Sequence, residues 1–223
     1  MKAMILAAGR GERLRPLTER LPKPLVEAGG KPLIDWHLER LAAAGWREAV
    51  INVSHLAERI VAHVGDGARY GMRLAWSREA EPLETAGGIA KARHQLGDAP
   101  FLLVNSDIYC EYDFSALSSV SLGKNLAHIV LVPNPAHHMN GDFILQSGMV
   151  GNDGAPRYTY AGVAVVSPSL VSGVNPGDKV PLGPLLRQAA GERRLSGELF
   201  RGVWTDVGTA ERLAELRTLL ASR

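Results

Sequence analysis

Gly9-Arg10-Gly11 is followed at once by Glu12-Arg13-Leu14-Arg15-Pro16-Leu17-Thr18, and then by Pro22-Lys23-Pro24-Leu25. Glycines let backbone N–H groups approach an anion closely, and guanidinium groups grip phosphate oxygens in a planar fork. Arg10, Arg13 and Arg15 lie within six residues of one another, with Lys23 close behind. A glycine turn flanked by that much positive charge points to a polyphosphate ligand. No Gly-Lys-Ser/Thr closes the segment, so it is not the Walker phosphate loop. No third glycine opens a helix, so it is not the dinucleotide fingerprint either. Gly-x-Gly alone reads equally well as a tight turn; the surrounding cations favour the anion.

Such a loop needs a strand ahead of it, because ligands of open α/β sheets sit beyond the carboxyl ends of the strands. Ala3 to Ala8 is a continuous apolar run of the kind that a strand buried on both faces shows. Pro32 to Ala44 has apolar residues at helical spacing, with Pro32 suited to a first turn and Gly45 to a stop. Ala49 to Val53, Arg73 to Trp76 and Phe101 to Asn105 read as further strands, and Leu56 to Val64 and Gly88 to Leu96 as helices. This alternation predicts an α/β fold with a doubly wound, mostly parallel sheet. After Asp107 the rhythm breaks. His128 to Val132, Asp142 to Gln146 and Thr159 to Val166 read as strands separated by Gly, Pro and Asn, so the sheet should become mixed. Leu182 to Ala190 reads as a helix, Leu195 to Phe200 as a strand and Thr209 to Leu220 as a terminal helix. With no internal repeat and no low-complexity linker, residues 1–223 read as a single domain.

The chain has 223 residues, 46% of them hydrophobic and 22% charged, which excludes disordered, collagen-like and coiled-coil readings. A net charge of +2 is too balanced for a nucleic-acid coat or a polybasic membrane clamp, so nucleic acid and membrane are not expected partners. Cys110 is the only cysteine, which rules out an intrachain disulfide and fits a reducing, cytoplasmic location. Its expected role is that of a plain structural thiol. No apolar run reaches the roughly 18 residues of a membrane span, and the apolar start is too short for a signal peptide.

The opening Gly-x-Gly-x-Arg-Leu-x-Pro-Leu-Thr, with its Pro-Lys-Pro-Leu, resembles that of the sugar-1-phosphate nucleotidyltransferases. These enzymes join a nucleoside triphosphate to a sugar 1-phosphate and release pyrophosphate. Leu83-Glu84-Thr85-Ala86-Gly87-Gly88 resembles their Leu-Gly-Thr-Ala-Gly stretch, with Glu84 where the family usually has glycine. Val104-Asn105-Ser106-Asp107 resembles the Gly-Asp end of their central strand, and Trp204-Thr205-Asp206-Val207-Gly208-Thr209 their Trp-x-Asp-x-Gly-Thr. The match runs in order from Met1 to about Thr209. The resemblance implies a Rossmann-like nucleotidyltransferase fold, with a nucleotide half in residues 1–107 and a sugar half in residues 108–223. It further implies a magnesium ion held by Asp107 and Asp206, with Arg13 facing the triphosphate and Lys23 the reacting phosphate. Ala8, Gly9, Gly11, Glu12, Arg13 and Lys23 should line the nucleotide site, with Glu81, Thr85 and Gly88 near the base.

The chemistry agrees with that carry-over. Magnesium prefers oxygen ligands and usually takes one or two carboxylates plus substrate phosphates and waters. Displacement at an α-phosphorus needs positioning and charge neutralisation rather than a side-chain nucleophile. A carboxylate in the base loop can accept the single N3–H of uracil or the paired donors of guanine, and the residues leave both open.

On the sugar side, the family's Glu-Lys-Pro motif has no counterpart, since residues 150–161 hold neither Glu nor Lys. The short length, Asn134 to Phe143 and Tyr158-Thr159-Tyr160-Ala161-Gly162 are instead similar to the N-acetylmuramate 1-phosphate uridylyltransferases of peptidoglycan recycling. That implies UTP and a sugar 1-phosphate as substrates, with mannose-1-phosphate guanylyltransferase as the alternative. Asn105, Asn140, Gly141 and Tyr158 are the expected sugar-side residues. Arg157 and Arg201 join Asn105 and Asn140 as candidates for the lactyl carboxylate. A metal site at His137-His138 is rejected because adjacent histidines point apart in most backbones. Trp36 and Trp46 read as core, and Tyr158 and Tyr160 read more simply as strand core than as stacking platforms.

Overall fold

The computed structural model describes residues 1–222. In the first half the strands are β1 (Ala3–Leu6), β2 (Glu27–Ala28), β3 (Lys31–Pro32), β4 (Glu48–Val53), β5 (Arg73–Arg78) and β6 (Phe101–Asn105). The second half adds β7 (Ile108–Cys110), β8 (Ala127–Val132), β9 (Phe143–Gln146), β10 (Met149–Gly151), β11 (Arg157–Val166), β12 (Leu195–Leu199) and β13 (Trp204–Asp206). The α-helices are α1 (Leu17–Arg20), α2 (Leu33–Ala43), α3 (Ala57–Val64), α4 (Glu84–Leu96), α5 (Leu182–Gly191) and α6 (Ala210–Ala221).

Nine strands form one sheet in the order β5-β4-β1-β6-β11-β8-β12-β10-β9. The first four run parallel, with Ile5 opposite Ile51 and Val104. Successive strand residues face opposite sides, and here both sides are covered. On one face Ile5, Ile51, Val104 and Val163 pack with Ile34 and Leu38 of α2 and Ile60 of α3. On the other, Met4, Val50, Leu103 and Ala164 pack with Ile89 of α4 and Leu186 of α5. Truncating a fully buried side chain such as Leu38 would cost about 2–5 kcal/mol.

From β11 onward the pairings are antiparallel except for β8 beside β12. The sheet is therefore mixed, and its parallel character is concentrated in the first half. Short turns rich in Gly and Pro can join only antiparallel neighbours, whereas each parallel step needs a crossover. Two boundaries that differ from the sequence reading, and one unexpected pairing, bear on the site. β1 ends at Leu6, and Ala7 and Ala8 continue as buried loop, the Ala7 amide donating to Asn52 Oδ1 at 2.8 Å. α4 begins at Glu84 rather than Gly88, because the Ala86 and Gly87 amides donate to the Val180 carbonyl at 2.9 and 3.2 Å. The two-stranded sheet of β7 and β13 was not expected at all.

Candidate active site

The carboxyl ends of β1, β4 and β6 open onto a cavity of about 820 Å³. Its floor is the turn after β1. Gly11 has φ 64°, and a Cβ there would lie 2.9 Å from Thr18 Cγ2, so position 11 requires glycine on both counts. Thr18, itself buried, donates from its hydroxyl to the Gly11 carbonyl at 2.8 Å and fixes the loop. Ala8, Gly9, Arg10, Gly11, Glu12 and Arg13 all line this cavity, and Lys23 enters from the following segment. Glu81 and Thr85 form the opposite wall, where the base was expected.

β7 and β13 explain how two aspartates distant in sequence come together. Asp206 pairs with Ile108 across the ladder, and the Val207 amide donates to the Asp107 carbonyl at 2.7 Å. Both aspartates line a second cavity of about 350 Å³. Arg13, Asn105 and Asp107 line both cavities, so the junction between the two spaces carries a guanidinium and a carboxylate. Lys23 Nζ bonds Asp107 Oδ2 at 2.6 Å, from a side chain only 10% exposed. Asp206 is held by Arg212 Nη1 at 2.9 Å from Oδ2 and by His137 Nε2 at 2.9 Å from Oδ1.

Gly208 accounts for the glycine of the second acidic motif. A Cβ there would collide with the Arg212 guanidinium and come within 3.0 Å of Arg13 Nη2. Two cations therefore flank one glycine beside Asp206. For a metal, the chain supplies two carboxylates on one cavity and, among the described residues, no group of three or more His, Cys, Asp or Glu. An all-oxygen pair completed by phosphate and water suits magnesium rather than zinc.

Several residues carry site functions that the sequence did not reveal. Glu79 is buried, accepting from Asn52 Nδ2 at 2.7 Å and from the Leu83 amide at 3.0 Å. This pair ties the loop after β1 to the wall of the larger cavity. Gly88 lies behind that wall and not on it; a Cβ would press on Asn52 Nδ2 at 2.8 Å and Glu79 Oε1 at 2.9 Å. Lys179, from the second half, lines the same cavity. Asn52 at a strand's carboxyl end was the one sequence signal for this network.

Asn140, Gly141 and Tyr158 do not line either cavity. They build the turn that does: Gly141 has φ 59° and packs against Asn134 and the Tyr158 amide, and the Asn140 carbonyl accepts from Arg157 Nε at 3.1 Å. His137 and His138, set aside as metal ligands, both line the second cavity, each on a different carboxylate. Away from the site, Cys110 is buried and its thiol is pushed up to about 11 by burial, which makes it unreactive. Trp46 is buried, and Trp36 packs edge-on against Tyr109.

The nucleotidyl transferase family profile matches residues 2–141. The N-acetylmuramate alpha-1-phosphate uridylyltransferase of Neisseria meningitidis is 47% identical over 98% of both chains. The protein of the same name from Caulobacter vibrioides is 35% identical over 92% of this chain and 91% of its own. The mannose-1-phosphate guanyltransferase of Schizosaccharomyces pombe is 32% identical over 93% of this chain but 61% of its own length. Among solved structures, a Bacillus anthracis protein named as a glucose-1-phosphate thymidylyltransferase superposes with a TM-score of 0.87 at 19% identity, covering 100% of this chain and 96% of its own. HddC from Yersinia pseudotuberculosis superposes with a TM-score of 0.77 at 22% identity, covering 98% of each chain. At those identities the structures speak to the fold, and the sequence matches to membership: this chain belongs to the nucleotidyl transferase family.

Proposed function

We propose that this protein transfers a uridylyl group from UTP to N-acetyl-α-muramate 1-phosphate, giving UDP-N-acetylmuramate and pyrophosphate, in cell-wall recycling. The observation that carries this reading is the 47% identity to the Neisseria enzyme of that name along nearly the full length of both chains. Mannose-1-phosphate guanylyltransferase is the second reading, favoured by 32% identity to a longer fungal enzyme. We read residues 1–223 as one doubly wound nucleotidyltransferase domain, working in the cytoplasm where UTP is available.

In this reading the larger cavity takes UTP and the smaller one the sugar, with the reacting phosphates at their junction. A sugar-phosphate oxygen attacks the α-phosphorus as the bond from that phosphorus to the bridging oxygen breaks, and pyrophosphate departs. The attacking oxygen is already ionised at neutral pH, so no side chain needs to remove a proton. Lys23, fixed on Asp107, is placed to neutralise charge on the α-phosphate, and Arg13 to draw the leaving pyrophosphate. Backbone amides of the Gly9 to Gly11 turn hold the triphosphate. Asp107 and Asp206 would hold a magnesium ion, which when bound supplies charge neutralisation and in-line alignment of the two substrates. Glu81, Glu84 and Thr85 face the base.

The test is a turnover panel of UTP, GTP, CTP and ATP against muramate, glucosamine, mannose and glucose derivatives of the 1-phosphate, read by pyrophosphate release. UTP with N-acetylmuramate 1-phosphate should be fastest. Faster turnover of GTP with mannose 1-phosphate overturns the assignment in favour of the second reading.

A further inference from the structure

The second cavity also shows which side chains remain free to recognise a substrate. Beyond the phosphate junction its polar lining is His137, His138, Thr159, Tyr160, Trp204 and Arg212 together with Asp206; the Trp204 indole N–H is given to the Ala161 carbonyl, and the Tyr160 hydroxyl, unpartnered among the described residues, is shut off from solvent. Arg212 is buried and committed to Asp206. The Thr159 hydroxyl donates to Asn134 Oδ1 at 3.0 Å. Arg157, a candidate for binding an acidic substituent on sequence grounds, spends its guanidinium on the backbone carbonyls of Asn140, Asp142 and Asn152. Arg201 lies outside the lining.

What these groups support is a rigid turn. Asn134 Nδ2 donates to the Met139 and Arg157 carbonyls at 2.9 and 3.1 Å, and the His138 amide donates to the Pro135 carbonyl at 2.9 Å. Asp142 accepts from the Tyr160 amide at 2.9 Å through one oxygen and meets His138 Nε2 at 3.1 Å through the other. The carboxylate charges on this side are thus already matched to donors. The two imidazoles stand over the cavity with side chains 42% and 40% exposed, and each has one ring nitrogen held by a carboxylate. Among the described residues, their other ring nitrogens have no hydrogen-bond partner.

We propose that the His137–His138 turn is the subsite that reads an anionic substituent on the sugar ring, namely the carboxylate of a lactyl ether. This rests on the functional reading above and deepens it by naming the recognising group. His138, as the imidazolium that donates Nε2–H to Asp142, presents its Nδ1–H to that carboxylate, and His137 flanks it from the side of Asp206. A site built around a charged hydrogen bond discriminates by roughly ten- to a hundredfold against an analogue that lacks the group.

The experiment compares N-acetylmuramate 1-phosphate with N-acetylglucosamine 1-phosphate, which differ only by the lactyl ether. The ratio of their kcat/KM values with UTP is measured for wild type, His138→Gln and His137→Gln, with thermal melts as a check on folding. A third substrate, the lactyl amide, removes the charge without altering the protein. We expect wild type to favour the muramate by at least about tenfold. His138→Gln should lose most of that preference, chiefly through KM for the muramate, and the amide should turn over like the glucosamine substrate. A preference that survives both His→Gln changes overturns the subsite and leaves the functional reading standing. So does full activity with the amide. Wild type indifferent to the lactyl group overturns both.

Discussion

Val207 donates its amide to the carbonyl of Asp107 at 2.7 Å, and this bond, continuing the β7–β13 ladder, holds the strand carrying Asp206 beside the strand that follows Asp107. The carboxylates are therefore placed by main chain, and changing their side chains should leave the framework intact. Asp107→Asn and Asp206→Asn should each lower turnover by at least about a hundredfold, since a neutral amide is a poor magnesium ligand. Lys23→Ala should lower it comparably, while losing a buried side chain and its bond to the partly exposed Asp107 costs on the order of 1–3 kcal/mol of stability. Pyrophosphate-release rates set against thermal melts check all three; a rate loss that merely follows unfolding would point to packing instead.

Gly87 sits where α4 meets the second half, and a Cβ there would collide with the Asp178 backbone carbonyl. Helix propensity alone would make Gly87→Ala a gain of about 1 kcal/mol. Overpacking against backbone costs about 1–3 kcal/mol, so the net should be destabilising. Lys179 follows Asp178 and lines the nucleotide-side cavity, so KM for UTP should rise as well. Denaturant melts and steady-state kinetics on the same preparation test both effects.

Glu84 adopts φ 61°, a left-handed conformation that suits the glycine found there in the resembling family. Relieving a non-glycine residue of that geometry is worth about 1–2 kcal/mol. The freer unfolded chain returns about 0.4–1 kcal/mol. Glu84→Gly should therefore stabilise the fold by several tenths of a kcal/mol while removing a carboxylate from the cavity wall. If that carboxylate helps to read the base, the UTP-to-GTP rate ratio falls; an unchanged ratio assigns base selection to other groups.

His37 is buried beneath the site, and burial lowers its pKa from 6.5 to about 4, opposed in part by the Ile108 backbone. The unfolded chain then binds more protons than the folded one between those values, so stability must fall with pH. Its contribution is complete above pH 6.5, declines as pH drops and is lost below about 4, amounting to about 3 kcal/mol. Urea melts across that range should show this slope in wild type and a shallower one in His37→Leu.

The first half of the fold was legible because its strands are buried on both faces and so appear as unbroken apolar runs, as in Ala3 to Leu6 and Phe101 to Val104. The glycine turn and both aspartates were legible because their neighbours form ordered motifs. β7 and β13 were not, since three residues each are too few to show a period. α4 was read late because Glu84 to Gly87 look like loop; the Val180 carbonyl, far along the chain, caps its first turn. Asn140 and Gly141, expected to contact the sugar, lie in the turn that carries His137 and His138 but line neither cavity, because sequence identifies the turn and not the direction its side chains take. The Asn52–Glu79 pair shows the same limit: Asn52 on β4 is visible in the sequence, but its partner lies 27 residues on, just past β5, and nothing local links the two.

Lys179 and its neighbour Val180, which exchanges backbone bonds with Leu83 and Ala86, have a consequence for how such a chain can diversify. A segment from the second half of the chain forms part of the wall of the larger cavity, and β11 is zipped to β6 within one sheet. The two portions are therefore not interchangeable cassettes. A lineage acquiring a new acceptor must do so by remodelling surface turns such as residues 135–141, and a graft of either half onto a foreign partner would leave an open sheet edge and a breached wall.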